Sequence, residues 1–288
     1  MPSIAPKTKV ASFEEARRIV DEHAAKVLAA RADSSATEIV DLLAARGRVL
    51  AEPIRADRDF PPFPRATRDG YALRSLDVER VPARLKVIGE IKAGDSVGNP
   101  ADKSGLGSGA LTVHPGQAVS IMTGAPLPSG ADAVVMVEYT AASGNSVEVQ
   151  NAVQSGENFV PQGAEARAGQ LLIDKGRRLD HALIAIAASV GKSRVAVFRK
   201  PRVAVLSTGD EVVEIDASPG AAQIRNSNSY SLAAQIEEAG GEAVRLAIAP
   251  DEPKRLRELI EEGFAYDLLL ITGGVSMGKY DLVEQVLA

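Results

Sequence analysis

The sequence predicts an α/β multidomain protein, and three observations lead to that expectation. The chain has 288 residues, too many for one compact core. From Arg202 onward, short apolar runs alternate with helix-like stretches, the pattern of a doubly wound, parallel-rich sheet with helices on its faces. Between Arg84 and Val153 the apolar runs are short and bounded by Gly, Pro and Ser, the pattern of a separate β unit.

Each element has a local reason. Ser12 to Ala30 reads as a helix, with Ser12 and Glu15 forming a capping box and Phe13, Ala16, Ile19, Val20, Ala24 and Val27 on one face. Thr37 to Arg46 reads as a second helix stopped by Gly47. Arg48 to Ile54 reads as a short strand. Phe60-Pro61-Pro62-Phe63-Pro64 is neither helix nor central strand, because its three prolines remove donors and fix φ. It should be a stiff, extended connector. Val119 to Met122 and Ala133 to Val137 read as strands, and Ala141 to Ser146 as the loop between strands at Val134 to Thr140 and Val147 to Val153. Gly94 to Gly116 is rich in Gly, Ser and Pro and reads as a long loop. Asp180 to Val190 should be a buried helix. Val203 to Leu206, Ala243 to Ile248 and Asp267 to Ile271 then read as strands. Ser229 to Glu238 and Asp251 to Glu262 read as the helices between them, the latter with Pro253 in its first turn.

Composition removes several function classes. Lys and Arg total 33 against 38 Asp and Glu, a net charge of −5, which gives no support for nucleic-acid binding. An anionic substrate would have to be held by local amides and a few placed cations. With no Cys, the chain has neither disulfides, thiolate nucleophiles nor Cys-ligated zinc. Trp is absent and aromatics are 4%, which argues against base-stacking platforms. The N-terminus lacks a hydrophobic signal core, and no run approaches the roughly 18 apolar residues of a membrane span. The expectation is a cytoplasmic protein with no membrane partner.

The most informative stretch is Leu268-Leu269-Leu270-Ile271-Thr272-Gly273-Gly274-Val275-Ser276-Met277-Gly278. Its continuous apolar run suggests a strand covered on both faces. The glycines after it allow a sharp turn and a close backbone approach to a ligand. Gly273, Gly278 and Lys279 match most of a P-loop, but Tyr280 stands where the Mg²⁺-binding hydroxyl belongs. The stretch reads as a phosphate- or oxyanion-binding loop of another kind, the alternative being a glycine-rich αβ turn with no ligand.

A second loop, Ser207-Thr208-Gly209-Asp210-Glu211, follows the strand at Val203 to Leu206. Carboxyl ends of parallel strands lie on one edge of a sheet, so both loops should face one crevice. The glycine loop offers amides and hydroxyls; Asp210 and Glu211 offer carboxylates suited to Mg²⁺, the alternative for Asp210 being a turn residue that bonds its own backbone. Arg225-Asn226-Ser227-Asn228-Ser229-Tyr230 precedes a helix, where its Asn and Ser residues can cap it and the segment can also make polar contacts to a ligand in the same crevice. Asp69-Gly70 and Thr123-Gly124-Ala125-Pro126 are turn signals that could also carry polar contacts to a site. His23, His114 and His181 share no metal-ligand spacing, and no nucleophilic triad is visible.

These motifs, in this order, resemble the molybdopterin molybdenumtransferase family, meaning MoeA and the gephyrin E domain. The resemblance rests on Phe60-Pro-Pro-Phe63, Asp69-Gly-Tyr-Ala72, Ile121-Met-Thr-Gly-Ala-Pro-Leu-Pro128, Val205-Leu-Ser-Thr-Gly-Asp-Glu211, Ile224-Arg-Asn-Ser-Asn228 and Thr272-Gly-Gly-Val-Ser-Met-Gly278. It implies a homodimer built from a helical dimerisation region (residues 1–55 with 160–200), a small β domain (56–159) and a doubly wound αβα molybdopterin-binding domain (201–288). It also implies a reaction in which adenylylated molybdopterin and molybdate give molybdenum cofactor and AMP, with Mg²⁺. By motif match, Asp69, Thr123 and Asp210 take the catalytic positions, and Asp210 with Glu211 the metal position. Ser207, Thr208, Gly209, Asn226, Ser227, Asn228, Thr272, Gly273, Gly274, Ser276, Gly278 and Asp281 take the pterin-phosphate side. Asp69 would come from the partner subunit. An upstream molybdopterin adenylyltransferase and molybdoenzyme acceptors are the implied partners. Asn226 stands where some members have Asp, Leu183 where some have Glu, and Gln162 where Arg is frequent. The family's C-terminal β domain is expected to be missing. The competing readings are a non-catalytic partner-binding scaffold and a related αβ nucleotide-processing module.

Overall fold

The computed structural model describes residues 11–30, 37–95, 111–273 and 282–287. The chain divides into two compact units. One takes Met1–Glu52, Lys175–Ala185 and Lys192–Ala288; the other takes Pro53–Asp174 and Ile186–Gly191. The division falls inside the helix His181–Ser189.

The first unit begins with the helix Phe13–Ala30. The expected capping box is present: the Ser12 amide donates to Glu15 Oε2 at 2.9 Å and the Glu15 amide to Ser12 Oγ at 3.2 Å. The apolar stripe is uncovered in the single chain, with Phe13 78% and Val20 66% exposed. The helix expected over Thr37 to Arg46 does not form. Thr37–Asp41 is a strand, paired antiparallel with Arg194–Phe198, and Leu42–Ala45 is a single 3₁₀ turn. Thr37, Ile39 and Val40 are β-branched, and the Arg-Val-Ala-Val-Phe segment supplies a complete ladder, so the tertiary partner overrides a weak helix preference.

The rest of this unit is built on a parallel sheet of three strands among the described residues. Arg202–Ser207 lies between Glu242–Arg245 and Leu268–Thr272, with Val203 opposite Ala243 and Val205 opposite Leu270. Strand alternation divides its core into two faces. Val203 and Val205 pack with Ile236 of the helix Ser227–Ala239. Ala204 and Leu206 pack with Leu256, Leu259 and Ile260 of the helix Pro253–Gly263, and with Val283 and Val286 of the helix Leu282–Leu287. The expectation that Leu268 to Ile271 is covered on both faces is corrected. Leu268 is 52% exposed, and among the described residues its strand pairs on one side only, with Arg202–Ser207.

The second unit is built on a six-stranded sheet in the order Ala133–Met136, Gly70–Leu73, Gln117–Ile121, Ala83–Ile91, Ser146–Val149, Thr140–Ser143. All pairings are antiparallel except that of Ala83–Ile91 with Gln117–Ile121, which shifts register between Val87 and Glu90. Both faces are apolar: Leu73, Leu85, Val135 and Val147 pack on one side, and Ala72, Val119, Ile121 and Val134 on the other. The loop expected over Ala141 to Ser146 is shorter than predicted. Thr140–Ser143 is itself a strand, the 3₁₀ turn Val137–Tyr139 precedes it, and only Gly144 and Asn145 connect the hairpin.

The proline connector is pinned as well as stiff. The Phe60 amide donates to the Ala166 carbonyl at 2.7 Å. Asp59 accepts from Gln162 Nε2 at 3.0 Å and from the Ala168 amide at 2.9 Å. Residues 160–174 thereby pack with the β-rich unit. Most of the loop expected over Gly94 to Gly116 lies outside the described residues. No helix among those described is long and apolar enough to cross a membrane.

Candidate functional site

The site is best approached through its buried polar side chains. Four stand out among the described residues: Ser207, Thr208, Asn226 and Ser229, none more than 5% exposed. All four belong to the carboxyl end of the central strand or to the start of the helix that follows it. Asn226 is the hub. Its Oδ1 accepts from Ser207 Oγ at 3.0 Å and from the Ser229 amide at 3.2 Å, so one oxygen caps the helix and ties it to the strand. The Asn226 amide in turn donates to the Val213 carbonyl at 2.9 Å.

Thr208 differs from the other three. Its amide donates to the Thr272 carbonyl at 2.9 Å, but its hydroxyl is buried with no hydrogen-bond partner among the described residues. Buried hydroxyls are rarely left unpaired, because each unmet group costs about 1–3 kcal/mol. Gly273 explains the crowding beside it. Gly273 has φ +94°, and a Cβ there would stand 2.5 Å from the Thr208 carbonyl oxygen and 2.8 Å from its hydroxyl. Only glycine lets the two strand-end loops approach so closely. Asn228 Nδ2 adds a longer contact to Thr272 Oγ1, at 3.4 Å.

These groups surround an open cleft of about 200 Å³. Ser207, Thr208 and Glu211 line it from the first loop, Asn226, Ser227 and Asn228 from the helix start, and Thr272 and Gly273 from the third strand. A helix N-terminus, the unpartnered Thr208 hydroxyl and an amide side chain converging on one space favour an anion such as a phosphate. Asn226 caps the helix without adding negative charge.

The remaining sequence-predicted residues sit elsewhere. Asp210 does not line the cleft; its Oδ1 accepts from the Asp251 amide at 3.0 Å and steadies the turn entering the next helix. Gly209 holds φ +131°, and the Glu211 side chain folds back over it, with Oε1 2.8 Å from where a Cβ would sit. Asp69 and Thr123 are brought together in the β-rich unit, where the Thr123 amide donates to Asp69 Oδ1 at 2.7 Å. That amide, and then the Thr123 hydroxyl, hold the Asp69 carboxyl below the ordinary carboxylate range, against a small opposing effect of burial. Gly274, Ser276, Gly278 and Asp281 lie outside the described residues.

The donor set bears on Mg²⁺. That ion usually takes one or two protein carboxylates and completes its shell with water and phosphate. Glu211 lines the cleft, one oxygen of Asp210 is engaged by Asp251, and no three acidic or His side chains gather among the described residues. Among the described residues, Glu211 is the carboxylate that could share an ion with a bound phosphate.

Sequence reasoning placed Arg225 with the residues that reach the crevice but missed the rest of that wall, Val212 and Ile224. Val212–Val213 pairs in parallel with Ile224–Arg225, and two-residue strands leave no periodicity to read.

A parallel αβ layer with a polar cleft at its strand ends, together with a separate mixed β unit, defines a two-unit α/β protein of the ligand-binding kind. Residues 11–191 match the family model for the MoeA N-terminal region (domain I and II), and residues 204–288 match that of a probable molybdopterin binding domain. The chain belongs to the MoeA, or molybdopterin molybdenumtransferase, family. It is 41% identical over 257 residues to the molybdopterin molybdenumtransferase of Nostoc sp. PCC 7120, covering 88% of this chain and 56% of that protein. The Bacillus subtilis enzyme of the same name is 37% identical over 259 residues, covering 87% and 57%. A solved molybdopterin biosynthesis MoeA protein from Pyrococcus horikosii superposes with a TM-score of 0.74 at 34% identity, covering 97% of this chain and 66% of that one. The chain thus spans between 56% and 66% of the length of these relatives.

Proposed function

We propose that this chain acts in molybdenum cofactor biosynthesis, binding adenylylated molybdopterin at the strand-end cleft for insertion of molybdate and release of AMP. The observation that carries the reading is the buried Thr208 hydroxyl, unpartnered beside the capped helix start and lining the cleft. A phosphate oxygen there would complete its hydrogen bonding. In this reading Ser207 and Asn226 fix the helix start, Ser227 and Asn228 with Thr272 and Gly273 form the rest of the phosphate seat, and Gly274, Ser276, Gly278 and Asp281 extend it. Bound Mg²⁺ would neutralise charge on the phosphoanhydride, with Glu211 holding it and Asp210 steadying the turn behind. The protein's own contribution is positioning and charge neutralisation around oxyanions. Asp69, fixed by Thr123, would complete the site from the partner of a homodimer. The uncovered stripe of Phe13, Ile19 and Val20 is the kind of apolar surface such a dimer would bury. A cytoplasmic location, delivery of substrate by an adenylyltransferase and transfer of the product to molybdoenzymes belong to the same reading.

Calorimetric titration of the purified chain with adenylylated molybdopterin tests it. Thr208→Val should weaken binding about tenfold, the worth of one buried hydrogen bond to a charged group. Absence of heat with the parent chain, or parental affinity in Thr208→Val, would overturn the assignment of this cleft.

A further inference from the structure

One charged side chain lines no part of the cleft, yet from a third element it touches two that build it. Arg245 ends the strand Glu242–Arg245. Its guanidinium lies over the Tyr230 ring, 3.8 Å from the centroid, in the first turn of the helix Ser227–Ala239. Its Nη1 donates to Ser229 Oγ at 3.4 Å and stands 3.6 Å from Glu214 Oε2. Ser229 is the residue whose amide Asn226 caps, and Glu214 follows the short strand Val212–Val213.

The geometry matters because the segment between Glu211 and Asn226 has few other anchors. It is a lobe closed by the parallel pair of Val212–Val213 with Ile224–Arg225 and by the amide of Ile224 donating to the Glu211 carbonyl at 2.8 Å. Ile224 is 60% exposed, so little apolar packing holds the lobe in place. The lobe nevertheless supplies one wall of the cleft through Val212, Ile224 and Arg225. We propose that Arg245 is a positioning residue that fastens this lobe to the helix start, and so fixes the width of the cleft. An isolated partly exposed ion pair contributes little, so the ring stack and the Ser229 contact must act with Glu214. Lysine would keep the charge but lose the planar stack and the fork of donors. The effect on ligand affinity rests on the functional reading above; the fastening of the lobe does not.

The test measures two quantities on the full chain: amide hydrogen exchange without ligand, and molybdopterin affinity. Arg245→Ala should speed exchange across 212–225 about tenfold while leaving the Val203 to Leu206 strand protected, and should weaken molybdopterin binding to a similar degree. Arg245→Lys should fall between Arg245→Ala and the parent. Glu214→Gln should loosen the lobe alone, without disturbing the Tyr230 stack. Thr208→Val, as a control, should lose affinity with no change in exchange. Parental exchange across 212–225 in Arg245→Ala overturns the inference, and so does faster exchange spread evenly over the unit. If the parent chain binds no molybdopterin while Arg245→Ala still loosens the lobe, the fastening stands and the assigned ligand falls.

Discussion

Replacing Gly273 by alanine probes whether the two strand-end loops meet as described. Two costs apply. The residue sits at φ +94°, where an L side chain is strained by about 1 kcal/mol or more. The new methyl would also stand 2.5 Å from a backbone oxygen, that of Thr208, so one loop must move by about 1 Å to reach ordinary contact. Movement there stretches the bond from the Thr208 amide to the Thr272 carbonyl, now 2.9 Å. Together these should destabilise the unit by about 3 kcal/mol. Gly176 provides the control: it belongs to the same unit and holds φ +89°, but a Cβ there meets nothing within 4 Å. Gly176→Ala should cost only the strain, about 1 kcal/mol. Urea unfolding followed by circular dichroism measures both. Thr208→Ala in the Gly273→Ala background should restore only part of the loss, since it removes the hydroxyl at 2.8 Å and leaves the carbonyl at 2.5 Å. Equal costs for the two glycine variants, or full rescue by Thr208→Ala, would refute the close approach.

Asn226→Ala should cost about 2 kcal/mol in the same urea experiment, because it removes the helix cap and leaves the buried Ser207 hydroxyl without its acceptor. Asp132 should contribute to acid sensitivity. Burial opposes its charge, but the Ser75 amide and hydroxyl, at 2.7 and 2.9 Å, outweigh this and hold its carboxyl below the ordinary range. Its stabilising effect is then full above the ordinary carboxylate range and lost as pH falls through the lowered folded-state value. Asp132→Asn should flatten the fall in urea midpoint below about pH 4. Phe13→Ser with Val20→Ser should leave the Ser12–Glu15 cap intact and shift sedimentation toward a monomer, if the uncovered stripe is the dimer contact.

Local rules made parts of the fold legible in advance. Ser12 with Glu15, Pro253 at its helix start and Gly240-Gly241 at a helix end are signals whose partners lie within a few residues. The candidate site was legible for a related reason. Thr208 and Thr272 each end a strand before a glycine, and parallel strands present their ends on one edge. The failures occurred where the partner is remote. Thr37–Asp41 became a strand because Arg194–Phe198, over 150 positions away in the sequence, offers it a ladder. Leu268 was expected inside but is 52% exposed, and an apolar run by itself does not reveal what packs against it.

By itself, then, the amino-acid order determined the alternation of strand and helix, the glycine turns and the residue types that meet at the cleft. All of these follow from short-range sterics and periodicity. The tertiary structure alone decided which hydroxyl is left buried and unpaired, that Asp210 serves a turn while Glu211 faces the cleft, and that Arg245 joins three elements. These depend on separations of a few ångströms between segments far apart in the chain, and only packing sets such distances.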